Sequence, residues 1–144
     1  MSERILAFAS DHAGVGLKAL LAAEAESLGW AVVDLGTHGS ESVDYPDYGE
    51  RLAKAVLAGE AAFGVAICGS GIGISIACNR HHGIRAAVVH DETSARLARE
   101  HNDANVLALG QRLIGEEVAR RCLAAFLETP FAGGRHQRRV DKLG

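Results

Sequence analysis

The chain has 144 residues, 48% of them hydrophobic and 23% charged, with a net charge of -3. That length holds one domain and buries enough apolar surface to fold without disulfides or a structural metal, and the composition excludes disordered and fibrous classes. The mild acidity argues against nucleic acid as a partner, and with no bilayer-length apolar run and no signal-peptide pattern at Met1-Ser2-Glu3-Arg4, a soluble cytoplasmic protein is expected.

Ile5 to Ala9 is a short continuous apolar run that reads as a strand, followed by Ser10-Asp11-His12-Ala13-Gly14 and a helical pattern from Val15 to Leu28 that stops at Gly29. The same grammar recurs. Ala31 to Leu35 is a strand, residues 36–46 form a loop rich in Gly, Ser and Asp, and Asp47 to Ala58 is a helix. Phe63 to Cys68 is the third strand, Gly69 to Gly73 a glycine-rich turn and Ile74 to Arg80 a short helix. Ile84 to Val89 and Asp91 to His101 make the fourth strand and helix, and Val106 to Leu109 and Gly115 to Leu127 the fifth pair. Strands that are apolar throughout belong to a parallel sheet covered on both faces. With right-handed crossovers, this predicts a three-layer α/β/α, doubly wound (Rossmann-like) sandwich with a five-stranded parallel sheet. Residues 1–144 form a single domain on this reading, and 129–144, with Pro130 and Gly133-Gly134, read as an extended tail that docks on it.

In such sheets ligands gather at the carboxyl ends of the strands. There the sequence places Asp11 and His12, Asp44 and Tyr45, Cys68 and Ser70, His90 and Asp91, and Gln111 and Arg112. The run Cys68-Gly69-Ser70-Gly71-Ile72-Gly73 presents backbone N–H groups at a helix start, which attracts an anion. Asp91, about twenty residues on, invites a dinucleotide reading. Against it, the spacing is Gly-x-Gly-x-Gly, the next helix is short, and the unit is third in the chain. A thiol at the mouth of such a turn can serve as nucleophile or base, because helix-start dipoles favour thiolate over thiol. The plainer alternative is a core cysteine completing a strand. Cys78 and Cys122 lie inside helices and read as core. The cysteine count is odd and contains no Cys-x-x-Cys pair, so neither a disulfide framework nor a zinc site is expected. His101-Asn102-Asp103 is either an acid with a binding partner or a helix cap, His81-His82 a solvated helix end, and Asp11 a possible capping residue.

Together these residues resemble the type B ribose-5-phosphate isomerase family, which also includes galactose-6-phosphate isomerase subunits. The resemblance rests on Ser10-Asp11-His12-Ala13-Gly14, Asp44-Tyr45-Pro46, Ile67 to Ser75, His101 to Leu107 and Gly133 to Val140, in the family's order. It implies a metal-independent, cofactor-free interconversion of ribose 5-phosphate and ribulose 5-phosphate through an enediolate. By that resemblance Cys68 is the base, Ser70 passes protons between the substrate oxygens, His101 opens the furanose ring, and the N–H groups of Gly69, Gly71, Ile72 and Gly73 stabilise the oxyanion. His12, Arg112, Arg135 and Arg139 match the phosphate contacts, Asp11 and Asn102 would hold hydroxyls, and Tyr45 would line the pocket. Some branches use a glutamate further along the turn. Here Ile72-Gly73-Ile74-Ser75-Ile76 has no carboxylate, which leaves Cys68 as the base. The resemblance further implies a homodimer, able to pair into a tetramer, with His101, Asn102 and Arg112 reaching in from the partner chain. Two alternatives remain at this level: an isomerase of a six-carbon sugar phosphate, such as allose or galactose 6-phosphate, and a non-catalytic nucleotide-binding module.

Overall fold

A computed structural model describes residues 4–144. Five parallel strands, β1 (Ile5–Ser10), β2 (Ala31–Asp34), β3 (Phe63–Cys68), β4 (Ala86–Val88) and β5 (Val106–Gly110), form one sheet in the order β2-β1-β3-β5-β4. Six α-helices connect or follow them: α1 (Val15–Ser27), α2 (Tyr45–Leu57), α3 (Ile72–Asn79), α4 (Glu92–Asn102), α5 (Glu116–Glu128) and α6 (Arg135–Asp141). The doubly wound sandwich is therefore as expected.

Alternation along the strands sorts the core into two unequal halves. Leu6, Phe8, Val65, Ile67, Leu107 and Leu109 point to one face, where they pack with side chains of α1, α4 and α5 such as Leu21, Ala95 and Phe126. Ala7, Ala9, Ala66, Cys68 and Ala108 point to the other, with Leu52, Ile74 and Cys78 of α2 and α3. The small side chains on this second face let α2 and α3 lie close to the strands. Cys68 ends that face, under the start of α3.

Three expectations needed correction. The strands are not hidden on both faces throughout: β2 is largely exposed and β4 half-buried, because the strand order leaves both at sheet edges. Along the β4 edge, the Asn79 side-chain amide donates to the Ala86 carbonyl (3.0 Å) and accepts from its N–H (2.8 Å), as a neighbouring strand would. The second helix starts at Tyr45, earlier than expected, because Pro46 fits a first helical turn where its missing N–H costs nothing. Finally, the last segment is not extended throughout. Gly133 and Gly134 turn the chain at positive φ, and Arg135–Asp141 then form α6, burying Val140.

An ion pair between a buried lysine and a partly exposed aspartate fixes the loop after β2. Lys18 of α1 is only 2% exposed, and its Nζ donates to Asp34 Oδ1 (2.6 Å) and to the Thr37 carbonyl (2.7 Å). The Gly36 N–H donates to the same carboxylate at 2.9 Å.

Candidate active site

The sheet changes winding direction between β1 and β3, and the crevice at their carboxyl ends is where ligands of this architecture sit. A cavity of about 710 Å³ opens there, lined by Asp11, His12, Tyr45, Cys68, Ser70 and Arg112 among others. The thiol of Cys68 is 4% exposed, and its Sγ accepts a hydrogen bond from the Gly71 N–H at 3.2 Å. That bond exists because Gly71 takes φ +79°, and any Cβ there would lie 2.8 Å from the Leu109 carbonyl carbon. The Ile72 N–H donates to Ser70 Oγ at 3.1 Å. Two of the N–H groups expected to face an oxyanion are thus engaged by neighbouring side chains, whereas those of Gly73 and Ile74 open the first turn of α3 without intrahelical partners.

The surrounding groups have defined orientations. Asp11, 6% exposed, caps the short 3-10 turn His12–Gly14, its Oδ1 accepting from the Ala13 N–H at 3.0 Å. This is the capping role, and the second carboxylate oxygen remains. His12 Nδ1 accepts from the Val43 N–H (3.1 Å), which places the proton of a neutral ring on Nε2, where it can be donated. Tyr45, 41% exposed, lays its ring over Gly73, where a Cβ would meet Cζ at 2.6 Å. Arg112 reaches across Gly69 into the same cavity.

The remaining residues lie elsewhere. In a parallel sheet α4 returns the chain from the carboxyl edge to the amino edge, over roughly 16 Å of helix. His101 and Asn102, in its last turn, therefore sit at the opposite edge of the sheet from Cys68. The tail docks beside them: Arg99 Nε donates to the Thr129 carbonyl (3.2 Å), and the Ala132 N–H to the Glu100 carbonyl (3.0 Å). Arg135 and Arg139 accordingly accompany His101 and not His12. The expected grouping of Arg112 with His101 and Asn102 does not hold within one chain, because Arg112 follows β5 at the carboxyl edge. Nor are His101 and Asn102 the helix cap; Asp103 ends α4 in the left-handed region (φ 47°), its N–H donating to the Ala98 and Arg99 carbonyls. Sequence reasoning did not single out His136, whose ring stacks on that of His101 with centroids 4.4 Å apart. Its place in the basic run after Gly134 was the available signal.

Topology also weakens the dinucleotide reading. β5 lies between β3 and β4, so Asp91 is not beside the glycine turn; it caps α4, accepting from the Ser94 N–H at 2.6 Å. Among the described residues, no group of three or more His, Cys, Asp or Glu has the arrangement to hold a metal ion, and no helix is long and apolar enough to cross a membrane.

Residues 6–143 match the Ribose/Galactose Isomerase family. Ribose-5-phosphate isomerase B of Escherichia coli (strain K12) is 47% identical over 138 residues, covering 96% of this chain and 93% of that protein. A putative sugar phosphate isomerase of Bacillus subtilis (strain 168) is 47% identical over 139 residues, with the same coverage of 96% and 93%. Among solved structures, ribose-5-phosphate isomerase B of Clostridium thermocellum superposes with a TM-score of 0.96 at 50% identity, covering 97% of this chain and 95% of that one. The type B enzyme of Trypanosoma brucei gives 0.95 at 43% identity, covering 97% and 96%.

Proposed function

The chain belongs to the ribose/galactose isomerase family, and from that premise we propose that it interconverts ribose 5-phosphate and ribulose 5-phosphate by proton transfer, with Cys68 as the base. One observation carries the assignment of the base. The Cys68 sulfur borders the crevice cavity at the carboxyl end of β3 and accepts an N–H from the turn that follows it, which holds it against any sugar bound there.

The chemistry follows from these positions. Cys68 removes the proton from carbon 2 of the open-chain aldose and returns it to carbon 1, while the carbonyl on carbon 1 becomes a hydroxyl and the hydroxyl on carbon 2 a carbonyl. Ser70, whose hydroxyl both donates and accepts, moves the proton between those two oxygens. The free N–H groups at the start of α3 bear on the enediolate oxygen. Asp11 holds a sugar hydroxyl, Tyr45 walls the cavity over Gly73, and His12 Nε2 and Arg112 draw the phosphate.

His101 and Asn102 complete the site from a second copy of the chain, together with the Arg135 and Arg139 cations for the phosphate. Two observations support a homodimer of this kind. The proposed ring-opening imidazole is separated from Cys68 by the whole height of the sheet, beyond the reach of any side chain. Beside the cavity, Ile72, Ile76 and Leu113 are each about half exposed (49%, 52% and 55%), an apolar rim suited to burial against another subunit. A reducing cytoplasm suits the three free thiols.

The deciding experiment is ribose 5-phosphate turnover by the parent and by Cys68→Ala. The variant should lose roughly 10²- to 10⁴-fold in kcat; near-parental turnover would remove Cys68 as the base. Assaying allose and galactose 6-phosphates alongside tests the five-carbon preference.

A further inference from the structure

His101 does not stand alone at the amino edge. Its imidazole lies almost parallel to that of His136, with ring centroids 4.4 Å apart and planes at 14°. The backbone ties between the tail and α4 involve Thr129 and Ala132, both before the Gly133-Gly134 turn. Beyond that turn, the His136 ring of α6 stacks on His101. The charged and titratable groups facing this ring are Glu100 and His101 from α4 and Arg135 and Arg139 from α6. The Glu100 Oε1 lies 3.5 Å from His101 Nε2.

We propose that His136 is a positioning residue: its ring is a flat seat that fixes the plane of the His101 imidazole and ties Arg135 and Arg139 to the same corner of the molecule. The proposal rests on the reading of His101 as the ring-opening group. A neutral aromatic face accommodates a neighbour that alternates between neutral and cationic, whereas two imidazolium rings at this spacing repel. The surroundings favour the neutral face: desolvation, then the charges of His101, Arg135 and Arg139, hold the His136 imidazole below its ordinary value against an opposing pull from Glu100.

The test compares His136→Ala, His136→Phe and His101→Ala by ribose 5-phosphate kinetics, and follows the histidine ring protons by NMR through a pH titration without substrate. His136→Ala should lower kcat roughly tenfold by letting the His101 ring drift, and His136→Phe, which keeps a flat face, should restore most of that loss. The His136 resonances should titrate below the ordinary imidazole range and move upward in His101→Ala. Unchanged kinetics in His136→Ala, or equal damage from Phe and Ala, would overturn the proposal. Full turnover by His101→Ala would overturn the parent reading and this one with it, and that failure is recognisable because the upward move of the His136 resonances on removing His101 would still be seen.

Discussion

Burial pushes the Cys78 thiol up to about 12. Burial, with the nearby Asp91 and Glu92 carboxylates, pushes that of Cys122 up to about 11. Both stay protonated at neutral pH, and neither lines the crevice. Cys68 shares the core face of Cys78 but ends its strand, so the same kind of residue meets a cavity and a backbone donor. Iodoacetamide under native conditions should label Cys68 ahead of the other two, in step with loss of turnover; peptide mapping that finds Cys78 or Cys122 first would contradict this assignment. Gly73 offers a second test at this scale. In Gly73→Ala, the new Cβ would sit 2.6 Å from the Tyr45 ring. The exposed ring must then swing aside, at little cost in stability, with a raised KM for sugar phosphate. Thermal unfolding and steady-state kinetics would check both. An unchanged KM would mean that the ring does not wall the sugar site.

At the scale of elements, the strands and most helices were legible because apolar runs, glycines and prolines punctuate the sequence cleanly. The carboxyl-edge half of the candidate site followed from the same grammar, since Cys68 ends a strand and Asp11 and Arg112 follow closely after one. Strand order was not legible. Nothing in the sequence of β4 and β5 announces that the later strand lies inside the earlier one, and the exposure of β2 and β4 follows from that order. The α6 helix was also missed, since Gly133-Gly134 reads as a breaker and gives no hint that the chain resumes a helix. The buried Lys18, four residues into α1, looks from sequence like an ordinary surface lysine; only the fold shows that it meets Asp34. Burial acts to raise the Asp34 carboxyl, but the Lys18 hydrogen bond, the Gly36 N–H and the charges of Lys18 and His38 overcome it and hold the group below its ordinary value. The contribution to stability is therefore full above the unfolded-state value of about 3.9 and is lost as pH falls through the lower folded-state value. Asp34→Asn should reduce stability by only about 1 kcal/mol at neutral pH, because solvent screens the partly exposed carboxylate, and should flatten the acid limb of the stability profile. Urea melts across that pH range measure it, and parallel profiles for parent and variant would rule out the linkage.

At the scale of the whole molecule, a parallel sheet separates the two groups of candidate site residues by construction, and the proposed dimer would reunite them. Mixing Cys68→Ala with His101→Ala by co-expression distinguishes this from a site within one chain. A random twofold dimer places one intact site in half of the dimers, so activity should return to about one quarter of the parental value from two nearly inactive variants. No recovery would mean that the two residues do not meet across subunits. Such a protein needs adhesive surface yet must not polymerise, and the Asn79 amide on Ala86 bears on that balance. Because one side chain occupies the hydrogen-bonding positions that a further strand would take, β4 is closed at that point to runaway edge-to-edge growth. The cap acts as a stop signal for assembly. Loss of the cap in Asn79→Ala would show first as turbidity in concentrated, warmed samples, well before any change in catalysis.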